Sequence, residues 1–471
     1  MPETETAKAS DGPIVWTYRL PVTANLSYKG NYVRRTFSPA NFCLFTSSFS
    51  RVITGTILQV SSTFFTFATI PFLLFLVLAV ERFFKYAMGK VFNITSKAAS
   101  HVSKVVDIES KPAVEPKPAP APAPAPVQEK PTSFILPDLV SHCTFPLTYH
   151  ANGDEIAKQS VEWLDTNCPD LNAKQRRALR GLQAGELTAF CYNTCTPERL
   201  RVVSDFMNYL FHLDNISDGM MTRETDVLSD VVMNALWFPH KYMPTAVPGK
   251  EQPEDELNPG KLARDFWART IPDCGPGAQA RFKETLELFF EAVNIQARAR
   301  DDDEIPDLES YIDVRRDTSG CKPCWALIEY ALGIDLPDEV VEHPIIAALN
   351  QSTNDLVTWS NDIFSYNVEQ SRGDTHNMIV ILMHYHGLTL QQAVDYVGDL
   401  CAQTIDSFIQ NKNNLPSWTP EIDDMVEKYV KGLQDWIVGS LHWSFQTHRY
   451  FGAQGQEVKK HRFVKLLPLR D

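Results

Sequence analysis

Two groups of oxygen-bearing side chains have a spacing that could do chemistry. In the run Phe211-His212-Leu213-Asp214-Asn215-Ile216-Ser217-Asp218, the two aspartates stand four residues apart in an apolar, helix-periodic stretch that begins near Leu200. Residues at i and i+4 share a helix face, so Asp214 and Asp218 set two carboxylates side by side. Two negative charges on an apolar helix need a cation. In Asn361-Asp362-Ile363-Phe364-Ser365-Tyr366-Asn367-Val368-Glu369, the residues Asn361, Ser365 and Glu369 fall at i, i+4 and i+8. That stacks an amide oxygen, a hydroxyl and a carboxylate along one face. All three are hard oxygen ligands of the kind that suits Mg²⁺, which keeps some of its waters and bridges readily to phosphates. The plain alternatives are a polar turn at a helix end for the first group and a solvated helix face for the second. Trp359, Ile363 and Phe364 interleave the second group with large apolar side chains, which reads as a partly buried wall and makes it the more specific motif.

With these motifs, residues 133–471 resemble the class I terpene synthases, especially the single-domain sesquiterpene synthases of basidiomycete fungi. In that family an aspartate-rich motif and an Asn/Ser/Glu triad on facing helices hold three Mg²⁺ ions around a diphosphate. The resemblance makes Asp214 the first metal-binding aspartate, Asp218 the last acid of its motif, and Asn361, Ser365 and Glu369 the triad. It gives Arg315, 46 residues before Asn361, the part of diphosphate sensor, with its neighbour Arg316 as rival. It gives Arg449 and Tyr450, 88 and 89 residues after Asn361, the part of the C-terminal pair that hydrogen-bonds the diphosphate. Phe211 and Trp443 match aromatic wall positions. Phe206, Trp359 and Phe364 are weaker matches, because an aromatic at helical spacing is more often ordinary core. Three positions depart from the commonest pattern: Asn215 and Gly219 stand where acids are frequent, and Val368 stands where some relatives carry a basic residue. None of the three is a core ligand.

The resemblance implies Mg²⁺-dependent ionisation of farnesyl diphosphate, cyclisation of the carbocation to a sesquiterpene and release of diphosphate, a carbon–oxygen lyase reaction. Two other readings compete with it. A chain-elongating prenyltransferase would carry a second aspartate-rich motif where this chain has Asn361, Ser365 and Glu369. A non-catalytic membrane-anchored scaffold for pathway enzymes would not need intact ligands at every station.

The elements that must position these residues read as helices. Phe282–Ala297, Asp355–Glu369, Leu388–Ile409 and Ile422–Tyr450 place apolar residues at intervals of three and four, with Gly-Pro, Pro-Asp and Asn-rich junctions between such pieces. The expected fold is all-α, a class I terpenoid synthase bundle around a central cavity, spanning 133–471. The acidic run Asp301-Asp302-Asp303-Glu304 reads as a solvated loop. Cys321 and Cys324 have C-x-x-C spacing, but no second pair stands near them to complete a zinc site.

The preceding residues have a different texture. Residues 1–51 are polar, and 52–80 carry no charge. Within 52–92 the apolar run 57–80 would extend about 36 Å as a helix, enough for a hydrocarbon core of about 30 Å. Pro71 would kink it, and Arg51, Arg82 and Lys85 flank it. Residues 93–132 contain an Ala-Pro alternation that favours a stiff polyproline II linker. The expectation is a signal anchor in the endoplasmic reticulum membrane with a catalytic domain facing the cytosol, or else a cytosolic protein. Residues 1–132 carry a balance of +6 and residues 133–471 one of -20. So acidic a domain is a poor nucleic-acid binder, and holding a phosphate takes metal.

Overall fold

The computed structural model describes residues 131–244, 254–302 and 304–470. The expected anchor, with its apolar run 57–80, lies outside the described residues, as do residues 1–51 and nearly all of the linker. Among the described residues, no helix is long and apolar enough to cross a membrane.

Strand β1 (Ser133–Ile135) leads into α1 (Leu139–His142), α2 (Gly153–Asn167), α3 (Ala173–Leu182) and α4 (Ala184–Cys191). There follow α5 (Pro197–Ser217), α6 (Thr222–Trp237), α7 (Asn258–Thr270), α8 (Pro276–Asp301), α9 (Leu308–Thr318), α10 (Cys321–Leu332) and α11 (Asp338–Val341). The last set is α12 (Pro344–Gln370), α13 (Met378–His386), α14 (Leu390–Asn413), α15 (Pro420–Trp443), α16 (His448–Phe451), α17 (Gly455–His461) and strand β2 (Phe463–Lys465). The all-α expectation therefore holds for the described chain, with one addition. β1 and β2 pair antiparallel, Phe134 opposite Val464, and tie the two ends of the domain together.

Local chemistry sets the boundaries of the helices that matter. Thr196 accepts from the Arg199 N–H and Pro197 takes the first turn of α5. Thr419 with Pro420 does the same for α15, and Asp307 caps α9 by accepting from Glu309 and Ser310. Between α9 and α10 the chain breaks at Gly320, whose φ of 66° is left-handed. A Cβ there would lie 3.0 Å from Leu210 of α5, so glycine meets both the turn and the close approach.

Helix α12 packs on α14 and α15, α5 packs on α2, α4 and α7, and α8 packs on α6, α9 and α10. The helices enclose a central cavity. Phe206 belongs to an aromatic cluster outside it, with ring centroids 5.0 Å from Phe266 and 5.1 Å from Phe282. Phe364 packs on Phe445 at 5.1 Å, and Trp359 is buried away from the cavity lining. These three aromatics are core residues.

Two sequence expectations need correction. The periodicity over Ile422–Tyr450 is not one helix: α15 stops at Trp443, and Thr447 caps the short α16 by accepting from the Arg449 N–H. Apolar spacing persists across the break because both helices bury the same side, so period alone hides it. The acidic run begins as the last turn of α8, where Asp301 accepts a 2.9 Å hydrogen bond from the Thr222 hydroxyl.

Candidate active site

Helical geometry explains how separate motifs reach one cavity. On α5, Met207, Leu210, Phe211 and Asp214 fall at i, i+3, i+4 and i+7, and all face inward, with Asp218 following one turn on at the helix cap. Asn361 and Glu369 on α12 form the facing wall, Trp436 and Trp443 on α15 a third, and Arg315 on α9 a fourth. The break after α15 swings Arg449 and Tyr450 of α16 back over the same opening. The inner cavity measures about 170 Å³. It adjoins an outer chamber of about 940 Å³, and Asp218, Glu369, Arg449 and Tyr450 line both. Ser365 lines the outer chamber.

The charged groups are joined across this space. Arg449 Nη2 donates to Asp214 Oδ2 at 3.0 Å. Arg315 Nη2 donates to Asn361 Oδ1 at 2.7 Å and to Asp362 Oδ1 at 3.0 Å, and its Nε also reaches Asp362. Asn361 Nδ2 donates to the Tyr450 hydroxyl at 2.7 Å. The rival Arg316 instead pairs with Asp355, 2.7 Å away, and does not line the cavity. The aromatic wall is fixed as well. Trp443 Nε1 donates to the Gln183 carbonyl at 2.7 Å, the Phe211 and Trp443 rings lie 5.8 Å apart, and the Arg449 guanidinium sits 5.3 Å from the Phe211 centroid.

The oxygens have the properties of a hard-cation site. The Ser365 hydroxyl is buried with no hydrogen-bond partner. Burial, followed by repulsion from Asp362, pushes the Glu369 carboxyl up to about 7. Withdrawal from solvent and then the Asp214 charge push Asp218 in the same direction. Carboxylates held out of water and facing one another are destabilised as anions, and a divalent cation reverses that sign. The donor set of Asp214, Asp218, Asn361, Ser365 and Glu369 is all oxygen, which fits Mg²⁺. No cluster of three His, Cys, Asp or Glu side chains suited to a metal occurs among the described residues. Cys321 and Cys324 are buried thiols without a further ligand of that kind.

Sequence reading missed three residues. Asp362, 1% exposed, accepts from the Tyr311 hydroxyl, from Arg315 and from the Met378 N–H, and so holds the Arg315 fork in place. Its signal was available: a carboxylate beside Ile363 and Phe364 on a buried helix must have a cationic partner. Asn377 donates to Glu369 Oε2 at 2.8 Å. His376 lines the cavity with an unpartnered Nε2, and burial followed by the Arg315 charge pushes its imidazole down to about 3, so it stays neutral. Neither lies at a helical spacing from the motifs, because both sit in the loop between α12 and α13, where Asn377 caps α13.

Comparison with known proteins gives the family. The family model for terpene synthase family 2, C-terminal metal binding, matches residues 205–407. Sesquiterpene synthase Agr3 of Cyclocybe aegerita is 82% identical over 341 residues, covering 72% of this chain and 95% of that protein. Alpha-muurolene synthase of Coprinopsis cinerea is 79% identical over 339 residues, covering 72% of this chain and 79% of that protein. Among solved structures, germacradien-4-ol synthase from Streptomyces citricolor matches with a TM-score of 0.55 at 22% identity, covering 64% of this chain and 96% of that one. A cucumene synthase variant gives 0.57 at 21% identity, covering 65% and 99%. At such identities these structures speak to the fold alone. The chain belongs to the class I terpene synthases, of the fungal sesquiterpene synthase type. The metal-binding character of the matched family model makes its reaction dependent on a divalent metal.

Proposed function

We propose that the chain is a Mg²⁺-dependent sesquiterpene cyclase that ionises farnesyl diphosphate, cyclises the resulting cation and releases inorganic diphosphate. The observation that carries this reading is the convergence of Arg315, Arg449 and Tyr450 with five oxygen-bearing side chains where an aromatic-walled cavity meets its outer chamber. Asp214, Asp218, Asn361, Ser365 and Glu369 would hold Mg²⁺, three ions by the family resemblance, which would supply positive charge to the diphosphate oxygens.

The chain's own groups do the rest. Arg315 and Arg449 present N–H donors from fixed positions, so charge building on the departing oxygens is stabilised without reorganisation. Because the Tyr450 hydroxyl accepts from Asn361, its own proton is free to donate to a diphosphate oxygen. The allylic C–O bond breaks with both electrons leaving on the diphosphate, and no protein nucleophile is needed. Leu187, Met207 and Leu210 exclude water from the cation, and the faces of Phe211 and Trp443 stabilise it by about 0.5–2 kcal/mol each. The cascade ends when the cation gives a proton to the released diphosphate, leaving a neutral hydrocarbon.

Gas chromatography with mass detection tests the reading. The purified full-length chain with farnesyl diphosphate and Mg²⁺ is expected to give cyclic C15 hydrocarbons, and chelation is expected to abolish them. The 79% identical Coprinopsis relative makes alpha-muurolene the first product to look for. Longer prenyl diphosphates formed with added isopentenyl diphosphate would point to chain elongation. No diphosphate release under any condition would point to a scaffold.

We also propose that residues 52–92 anchor the protein, with 93–132 as spacer to the catalytic domain at 133–471 and that domain on the cytosolic face of the endoplasmic reticulum. The support is the uncharged length of 57–80 and its basic flanks. Tagged full-length protein is expected to stay in the pellet after alkaline carbonate extraction, and a variant lacking 52–92 to be recovered in the supernatant. Recovery of both in the supernatant sinks the anchor.

A further inference from the structure

The outer chamber holds charges that the mechanism above does not use. Besides the oxygens and Arg449 that it shares with the active site, it is lined by Arg177 of α3, Arg372 after α12, Lys465 of β2 and Arg470 of the C-terminal tail. Among the described residues, none of these four side chains has a hydrogen-bond or ion-pair partner. Four unpaired cations gathered at one opening stand out in a domain whose balance is -20.

The tail is held there by the metal-site helix itself. Asn367 Nδ2 donates to the Lys465 carbonyl at 3.0 Å, and Asn367 Oδ1 accepts from the Leu467 N–H at 2.8 Å. Gln370 Nε2 donates to the Leu467 carbonyl at 2.9 Å, and the Arg470 N–H donates to the Ser371 carbonyl at 2.8 Å. Asn367 and Gln370 flank Glu369 in the last turns of α12, so the backbone carrying Lys465 and Arg470 is stitched beside a proposed metal ligand. The same chamber is lined by the apolar Leu179, Leu182, Ile216 and Phe451. Cations and apolar side chains at one opening suit an amphiphile with a polyanionic head.

We propose that this chamber is a second anion subsite, formed by Arg372, Lys465, Arg470 and Arg177, that draws in and holds the diphosphate end of the incoming prenyl diphosphate. Arg372 stands one turn beyond Val368, so a cation is supplied to this opening from the next turn although position 368 is apolar. The inference rests on the prenyl diphosphate reading. These charges attract the diphosphate in ground and transition states alike, so their loss raises KM and leaves kcat in place. As exposed groups they are screened by salt.

The test is steady-state kinetics of the full chain with farnesyl diphosphate and Mg²⁺ across a range of ionic strength. It compares the R372Q/K465Q/R470Q variant with a control of equal charge change elsewhere, K158Q/K241Q/K261Q. At low salt the first is expected to raise KM about tenfold with kcat within twofold, from the local concentration that such a field gives. It is also expected to flatten the salt dependence of kcat/KM, and the control is expected to do neither. A KM within twofold of the control overturns the proposal. A lowered kcat at unchanged KM also overturns it, assigning the charges to departing diphosphate instead. If the triple variant has lost its helical circular dichroism, R372Q alone is measured, with a twofold to threefold rise in KM expected and no rise overturning the proposal. Turnover by the unaltered chain, measured in the same series, tests the functional reading separately.

Discussion

Glu369→Gln is expected to lower kcat by about 10²–10³, the scale of losing one preorganised group that stabilises developing charge, while making the chelated protein harder to unfold. The two effects have opposite sign for one reason. Burial and the Asp362 charge push the Glu369 carboxyl up to about 7, so near neutral pH its ionised form works against the fold unless a cation is present. Glutamine keeps the shape and the hydrogen bond from Asn377, with its side-chain oxygen as acceptor, and it removes the charge. Product formation measured alongside thermal unfolding in chelator checks both halves. A thermal midpoint that drops in step with activity would make Glu369 a structural residue and remove it from the metal set.

The second large effect is expected at Asp362, which touches neither the proposed substrate nor a metal and acts through Arg315. Asp362→Ala leaves a half-buried guanidinium without its counter-charge, and breaking such a pair costs about 3–5 kcal/mol. Denaturant unfolding should show that loss directly. Asp362→Asn keeps the volume and can still accept from Tyr311 and Met378, so it should fold, with kcat down about 10–100-fold, the range for groups that orient ligands from behind. The reading that separates positioning from structure is a double-mutant cycle. D362N/R315Q is expected to be no slower than R315Q alone, because once Arg315 is gone nothing remains for Asp362 to position. Additive losses would show that Asp362 acts by some other route.

Both residues show where sequence reading stops. Glu369 was legible because its two partners lie at i-4 and i-8 on the same helix, and helical period is a local property of the chain. Asp214 with Asp218 was legible for the same reason, as were the long helices and the all-α class. That these side chains offer hard oxygens of the kind suited to Mg²⁺ was readable from side-chain chemistry.

What only tertiary structure decided concerns groups brought together from distant positions. Arg315 was preferred in sequence only by resemblance, with Arg316 as rival; the rotation of α9 turns the first toward Asn361 and the second toward Asp355. Phe206 and Phe211 share a helix, yet about 140° of turn, at 3.6 residues per turn over five residues, separates a core ring from a cavity wall. The break after Trp443 that returns Arg449 and Tyr450 to the cavity was hidden inside an unbroken apolar period. The outer chamber draws Arg177, Arg372, Lys465 and Arg470 from four elements, with no spacing rule to link them. Residues on one helix are related by its period, whereas residues on different helices are related only by how those helices pack.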